Sequence, residues 1–267
     1  AQTLGVPTDR VAVVMGGTSV VPFDSSTSAS RSTVFMGNAV VKACEHIKSQ
    51  AKAIASRLYG VPLEAVTIED GVLTAGDRRL SYAELMSAHF GPPRGELIGV
   101  GEERHAFDPR HPLGGSPAFW ELLCAAAEVG VHVDTGMVQV RRLVLVSDNG
   151  RALNPQQVEA QDEGAALMGL GHTLMEHLIL DEHGHIRNLG ALDYRIPTIE
   201  DIPLRFESAF IENGDGPGPF GAKGTGEGGI LAVAAAIGSA IAEATGVTIR
   251  DLPLTPERIW QELRGHT

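Results

Sequence analysis

One carboxylate stands alone in a run of glycines. Gly218-Pro-Phe-Gly-Ala-Lys-Gly-Thr-Gly-Glu-Gly-Gly-Ile230 carries Glu227 between Gly226 and Gly228. Crowded glycines mark backbone that must approach something closely. The small-residue run 231–238 follows at once and reads as a tightly packed helix, whose dipole favours a charged carboxylate at its mouth. Glu227 is therefore suited to act as a base held beside a bulky ligand. A tight turn completed by a capping carboxylate has the same composition.

A second site is Ser25-Ser-Thr-Ser-Ala-Ser-Arg-Ser-Thr-Val34, where hydroxyls, backbone N–H groups and a guanidinium gather just before a helix. Arg31 can donate two parallel hydrogen bonds to a phosphate, and Ser30, Ser32 and Thr33 add donors beside Ala29. The plainer reading is a Ser-rich loop with a serine cap. The spacing is not that of a Walker loop. A third site lies on the helix opened by Pro155, where Gln161, Ala165 and Met168 share a face. The Gln161 amide can donate to one group and accept from another.

These sites need elements to hold them, and three segments share one layout of β-rich run, polar or Gly-rich loop and long helix. The first has a strand over 10–15, a loop over 18–33 and a helix over 35–59 that stops at Gly60. The second has a hairpin over 131–140 turning on Asp134-Thr-Gly136, then an apolar run into Ser147-Asp-Asn-Gly150 and a helix from Pro155 to about His177. The third has a strand over 204–211, a Gly/Pro loop over 213–229 and a helix ending near Gly246. Between the first two lie short strands over 65–69 and 72–74, a helix over 82–89 and an irregular Pro/Gly stretch over 91–117. A last helix spans 256–263. The predicted fold is α+β with mixed sheets and long packed helices, over one domain, 1–267, with possible subdomains 1–117 and 118–267.

Composition narrows the function. Thirty-three acidic against 21 basic residues give a net charge of −12. That balance argues against a nucleic-acid surface and against attraction to anionic membranes. The apolar stretch 230–242 is short for a membrane span. Only Cys44 and Cys124 are present, both expected on helices; this predicts no disulfide framework and a reducing, cytoplasmic setting. Two cysteines cannot hold an iron–sulfur cluster, so any such centre must sit on another chain. Ala1-Gln-Thr-Leu-Gly-Val-Pro7 reads as the last turn of a helix closed by Gly5, as in a piece of a longer protein. Three other patterns carry less. Gly216-Pro-Gly-Pro-Phe-Gly221 has the glycine spacing of a dinucleotide loop, but its prolines are wrong for that turn and no βαβ unit is expected around it. His172, Glu176 and His177, like His183 and His185, read as surface residues and not as a zinc motif.

The ordered series of segments resembles the molybdopterin-binding large subunit of the molybdenum hydroxylases, the xanthine dehydrogenase family, which includes aldehyde oxidoreductase, aerobic carbon monoxide dehydrogenase and nicotinate dehydrogenase. It runs through Leu4-Gly-Val-Pro7, Gly17-Thr-Ser-Val-Val-Pro22, Thr27-Ser-Ala-Ser-Arg-Ser-Thr33, Gly37-Asn-Ala-Val40 and Val133-Asp-Thr-Gly136. Asp148-Asn-Gly-Arg-Ala-Leu-Asn-Pro155, Gln161-Asp-Glu-Gly164, Gly169-Leu-Gly171, Asp193-Tyr-Arg-Ile-Pro-Thr198, Asp201-Ile-Pro203 and Gly221-Ala-Lys-Gly-Thr-Gly-Glu227 complete it. The likeness is to the C-terminal part of that subunit, and Gly17 stands where family members usually carry Asp.

By position, the resemblance implies Glu227 as catalytic base beside molybdenum and Gly226 as the backbone that approaches it. Ala29, Ser30, Arg31, Ser32 and Thr33 become the loop around the pterin and its phosphate or cytosine dinucleotide tail, and Gln161 a hydrogen-bonding neighbour. The implied reaction hydroxylates an electron-poor carbon of a small molecule (an N-heterocycle, an aldehyde or a CO-type substrate) with oxygen from water. The implied partners are an N-terminal molybdopterin-binding chain or segment, an iron–sulfur subunit and a flavin (FAD) subunit. The alternative readings are a dinucleotide-dependent reductase and a cofactor-free assembly fragment.

Overall fold

The computed structural model describes residues 1–92, 95–106, 108–112 and 115–265. The chain forms two compact units, Ala1–Thr27 with Ser32–Ser116, and Ser28–Arg31 with Pro117–Thr267. Part of the expected irregular stretch 91–117 lies outside the described residues.

The first unit is built on α1 (Ser32–Tyr59), about 42 Å long at 1.5 Å per residue. It ends at Gly60, whose φ of +66° is the left-handed stop that glycine supplies. Ala51, Ile54 and Ala55 recur at helical spacing and meet a three-stranded antiparallel meander, β1 (Val66–Glu69), β2 (Val72–Ala75) and β3 (Arg78–Ser81). Asp70 and Gly71, both with positive φ, make the first hairpin turn. Val66, Leu73 and Ala75 close this core with Leu85 of α2 (Tyr82–Phe90). The Ser81 hydroxyl accepts from the Glu84 N–H, while the Glu84 carboxylate accepts from Ser81, a reciprocal cap that starts α2.

Two expectations fail in this unit. The strand expected over 10–15 does not form, and Val13, Val14 and Met15 are more than 80% exposed. An apolar run reads as a strand only where a neighbour completes its ladder, and none does so among the described residues. Conversely β3 was not expected, because its two arginines mask the alternation. The segment after α2 is irregular but not free. Gly99 and Gly101 press on the Ala43 and Ala39 carbonyls of α1, with Lys42 bonded to the Glu102 carbonyl at 2.9 Å.

The second unit holds a mixed sheet of order β4 (Leu122–His132), β5 (Met137–Asp148) and β6 (Arg205–Ile211). β4 and β5 form the expected antiparallel hairpin, closed by Gly136 at φ +70°. β5 and β6 run parallel, joined through α3 (Pro155–Leu174). A βαβ crossover is thus present where none was expected, because parallel register depends on contacts that local pattern does not encode. α4 (Val233–Thr245) buries Val233, Ile237 and Ile241 against the sheet and stops at Gly246, φ +76°. Residues 228–245 are apolar enough for a membrane span, but a 3-10 turn at Gly228–Ile230 interrupts them. α4 alone reaches only about 20 Å, against about 30 Å of hydrocarbon. Ile259 of α5 (Pro256–Gly265) completes the core with Leu143, Leu145 and Leu170. Cys44 lies on α1 as expected, whereas Cys124 lies on β4, correcting the helical reading.

Candidate functional site

The end of β5 anchors the glycine segment. Beyond Asp148 the chain pairs with it: the Lys223 N–H donates to the Asn149 carbonyl at 3.0 Å and the Arg151 N–H to the Gly221 carbonyl at 2.9 Å. Lys223, only 8% exposed, lies between Asp148 at 2.9 Å and Asp215 at 3.1 Å. Burial pushes the Asp148 carboxyl up, but hydrogen bonds from Lys223, the Gly150 N–H and Asn213, with the Lys223 charge, outweigh it and hold the group below the usual carboxylate range. Behind this turn the Ser147 hydroxyl donates to buried Asp162 of α3, and the Asn149 amide donates to both Ser147 and Asp162, at 2.7 and 3.2 Å. The motif Asp148-Asn-Gly-Arg151 is thus the mount of the glycine loop.

The glycines that follow are small because protein lies against them. A Cβ on Gly224 would stand 1.5 Å from the Ser30 carbonyl oxygen, and one on Gly226 2.5 Å from the Ser30 hydroxyl. On Gly228 it would meet the Glu121 carboxyl carbon at 2.4 Å, and on Gly229 the Ala165 Cβ at 2.9 Å. The close approach expected toward a ligand is therefore, at these four positions, an approach to the loop Ser28–Arg31, to the residue before β4 and to α3. That loop is itself strained. Ala29 and Ser30 both take left-handed φ, +51° and +53°, a conformation costing a non-glycine residue about 1 kcal/mol or more. Strain of this kind persists only where the surroundings impose it.

Gln161 reaches across from α3, its Nε2 donating to the Gly226 carbonyl at 3.3 Å. Its other N–H and its carbonyl oxygen stay on an exposed amide. Glu227 is exposed and makes no capping bond to the turn it precedes, which removes the reading of a capping carboxylate. The structure thus brings together Ser30, Gln161, Gly226 and Glu227 within the second unit, with Ala29 and Arg31 on the same loop. Ser32 and Thr33 open α1 in the first unit, and the Ser32 hydroxyl donates to Thr27 at 3.3 Å. His172, His177, His183 and His185 are exposed, and among the described residues no group of three His, Cys, Asp or Glu is placed to hold a metal. Gly216 and Gly221 lie in the loop after β6, where Gly221 accepts from Gly216 and ends a short 3-10 turn over Pro219–Gly221, not the start of an α-helix.

Sequence reasoning missed Glu121. Half-buried just before β4, it accepts from the Ser30 hydroxyl at 3.5 Å. Burial first, and then the charge of Asp162, push its carboxyl up to about 7. No local pattern marks it, since Trp120-Glu-Leu belongs to no motif in the sequence. The buried pairing of Lys223 with Asp148 was equally invisible, its partners lying 75 positions apart.

The molybdopterin cofactor-binding domain model matches residues 1–203. The chain is similar to the xanthine dehydrogenase molybdenum-binding subunit of Escherichia coli, 34% identical over 270 residues that cover 98% of this chain and 34% of that protein. It is likewise similar to the Escherichia coli aldehyde oxidoreductase molybdenum-binding subunit PaoC, 34% identical over 267 residues, covering 98% and 34%. Reconstituted CO dehydrogenase from Oligotropha carboxidovorans shares the fold at TM-score 0.82 and 22% identity, over 99% of this chain and 33% of that one. The chain spans about a third of the length of the curated relatives it matches. With the order of motifs, the mixed sheet and the mounted glycine segment, these likenesses place the chain in the molybdopterin cofactor-binding domain family, similar to the molybdenum-binding subunits of the molybdenum hydroxylases.

Proposed function

We propose that this chain is the C-terminal, cofactor-binding piece of a hydroxylase that oxidises an electron-poor carbon of a small molecule with oxygen from water. The observation that carries the reading is Glu227: an exposed, uncapped acceptor on a backbone fixed from two sides by Gln161 and Ser30. The donor set fits an anionic pterin. The Ser30 hydroxyl, the loop around the left-handed pair Ala29–Ser30, Arg31 and the unused functions of the Gln161 amide are hydrogen-bonding groups of the kind a phosphate and a fused heterocycle need. When bound, the molybdenum–pterin group supplies the two-electron redox chemistry.

The chain's own residues do the rest. Glu227 accepts a proton at its carboxylate, general-base work of a kind worth roughly 10²–10⁴-fold in rate. Gln161 holds the Gly226 carbonyl and so the direction of the next side chain. The loop Ser28–Arg31 would hold the pterin phosphate or a cytosine dinucleotide tail. With only two cysteines in the chain, iron–sulfur clusters belong on a partner, FAD on another, and further pterin contacts on an N-terminal molybdopterin-binding chain or segment. We assign the assembly to the cytoplasm, on the ground that two cysteines give no disulfide framework.

The test is Glu227→Gln in the complex co-expressed with its partner chains. Molybdenum and pterin content should equal that of the unaltered complex, and turnover per molybdenum should fall by roughly 10²-fold or more. Near-normal turnover would remove Glu227 as the base. A complex that assembles without molybdenum or pterin would favour the assembly-fragment reading.

A further inference from the structure

Glu121 has three properties that the scheme above does not use. Its Oε2 lies 3.5 Å from the Ser30 hydroxyl. Its carboxyl carbon occupies the space a side chain on Gly228 would need. Its Oε1 is sealed from solvent without a hydrogen-bond partner. The carboxyl therefore sits between two segments, Ser28–Arg31 and Gly226–Gly228, that carry the candidate cofactor contacts. The Ser30 hydroxyl in turn occupies the space a side chain on Gly226 would need. We propose that Glu121 is a positioning residue, a wedge that locks Ser30 against the Gly226–Gly228 backbone and thereby sets where the Glu227 side chain stands. This rests on the reading of Glu227 as the base.

A buried polar atom without a partner is costly, and far more so when it carries charge. The wedge is therefore stable as the neutral acid. The charged group acting on it is Asp162, which approaches from α3; from the loop it meets the Ser30 hydroxyl, and from the glycine segment the Gly228 backbone. Glu227 is the next ionisable group along the segment it supports. As pH rises through about 7 Glu121 ionises. A second negative charge then appears beside Asp162, and an unsolvated oxygen faces Gly228, which loosens the wedge.

The test uses Glu121→Gln and Glu121→Ala in the assembled complex, with amide exchange over 224–230, molybdenum content and turnover per molybdenum as readouts. Glu121→Ala should speed exchange over 224–230 and lower turnover roughly tenfold to a hundredfold, with molybdenum retained. Glu121→Gln keeps the neutral shape. It should restore both readouts below pH 7 and lack the decline that the unaltered complex shows as pH rises through 7. Unchanged exchange in Glu121→Ala, or a Glu121→Gln pH profile that matches the unaltered one, overturns the proposal. The two readings fail separately. Near-normal turnover by Glu227→Gln removes the base but leaves exchange over 224–230 to decide the wedge. If Glu227→Gln abolishes turnover while Glu121→Ala leaves exchange and turnover unchanged, only the wedge falls.

Discussion

At the scale of residues, the glycines divide by what lies against them. Gly224 has the Ser30 carbonyl within the volume a methyl group would fill, whereas Gly190 has open space and an ordinary φ. Gly224→Ala should cost about 2 kcal/mol or more, because neither backbone can yield without undoing the other's mount. Gly190→Ala should stay within about 0.5 kcal/mol, and urea titration of the two variants measures the contrast. The same division refines the reading of Glu227. Its glycine neighbours are not generic flexibility around a base. They are the residues small enough to let a strained loop, a half-buried acid and α3 close around its backbone, so the Glu227 side chain is aimed by packing while it stays in solvent.

At the scale of elements, the end of β5 and the glycine segment are joined by Lys223. Both Lys223 and Asp148 are largely buried, so removing one leaves the other a poorly solvated charge, a loss of roughly 3 kcal/mol. Lys223→Met should show that loss at pH 7. The pH dependence follows from the directions of the two shifts. The Asp148 carboxyl is held below its ordinary value of 3.8, so its contribution is present above about pH 4 and is lost as pH falls further. The Lys223 ammonium is held above its ordinary value of 10.5: burial lowers it, and the bonds and charges of Asp148 and Asp215 more than reverse that. Its contribution is complete below about pH 10 and is lost at higher pH. The difference between the two proteins should therefore be largest from pH 5 to 9 and shrink near pH 3, which thermal unfolding across that range reads directly.

At the scale of the whole molecule, two separate apolar cores hold the two units, and the site draws on the second. Leu145, fully buried in the sheet core of that unit, should cost about 3 kcal/mol when replaced by Ala, read by urea unfolding. Much of this architecture is legible in the sequence, because its signals are local. Pro155 after Asn154 starts α3, Gly60 and Gly246 stop α1 and α4 with left-handed backbone, and Asp134-Thr-Gly136 turns the main hairpin. The motif order also identifies the cofactor family and the segments that carry Ser30, Gln161 and Glu227. Tertiary structure alone decided the rest. It left the strand expected over 10–15 unformed, ran β5 and β6 parallel, set Lys223 between two aspartates and brought Glu121 to Ser30 across 91 positions of chain. A turn or a helix stop is a property of a few consecutive dihedral angles, which residue type constrains directly. A buried charge pair or a carboxyl wedged under a glycine exists only once distant segments share a desolvated space.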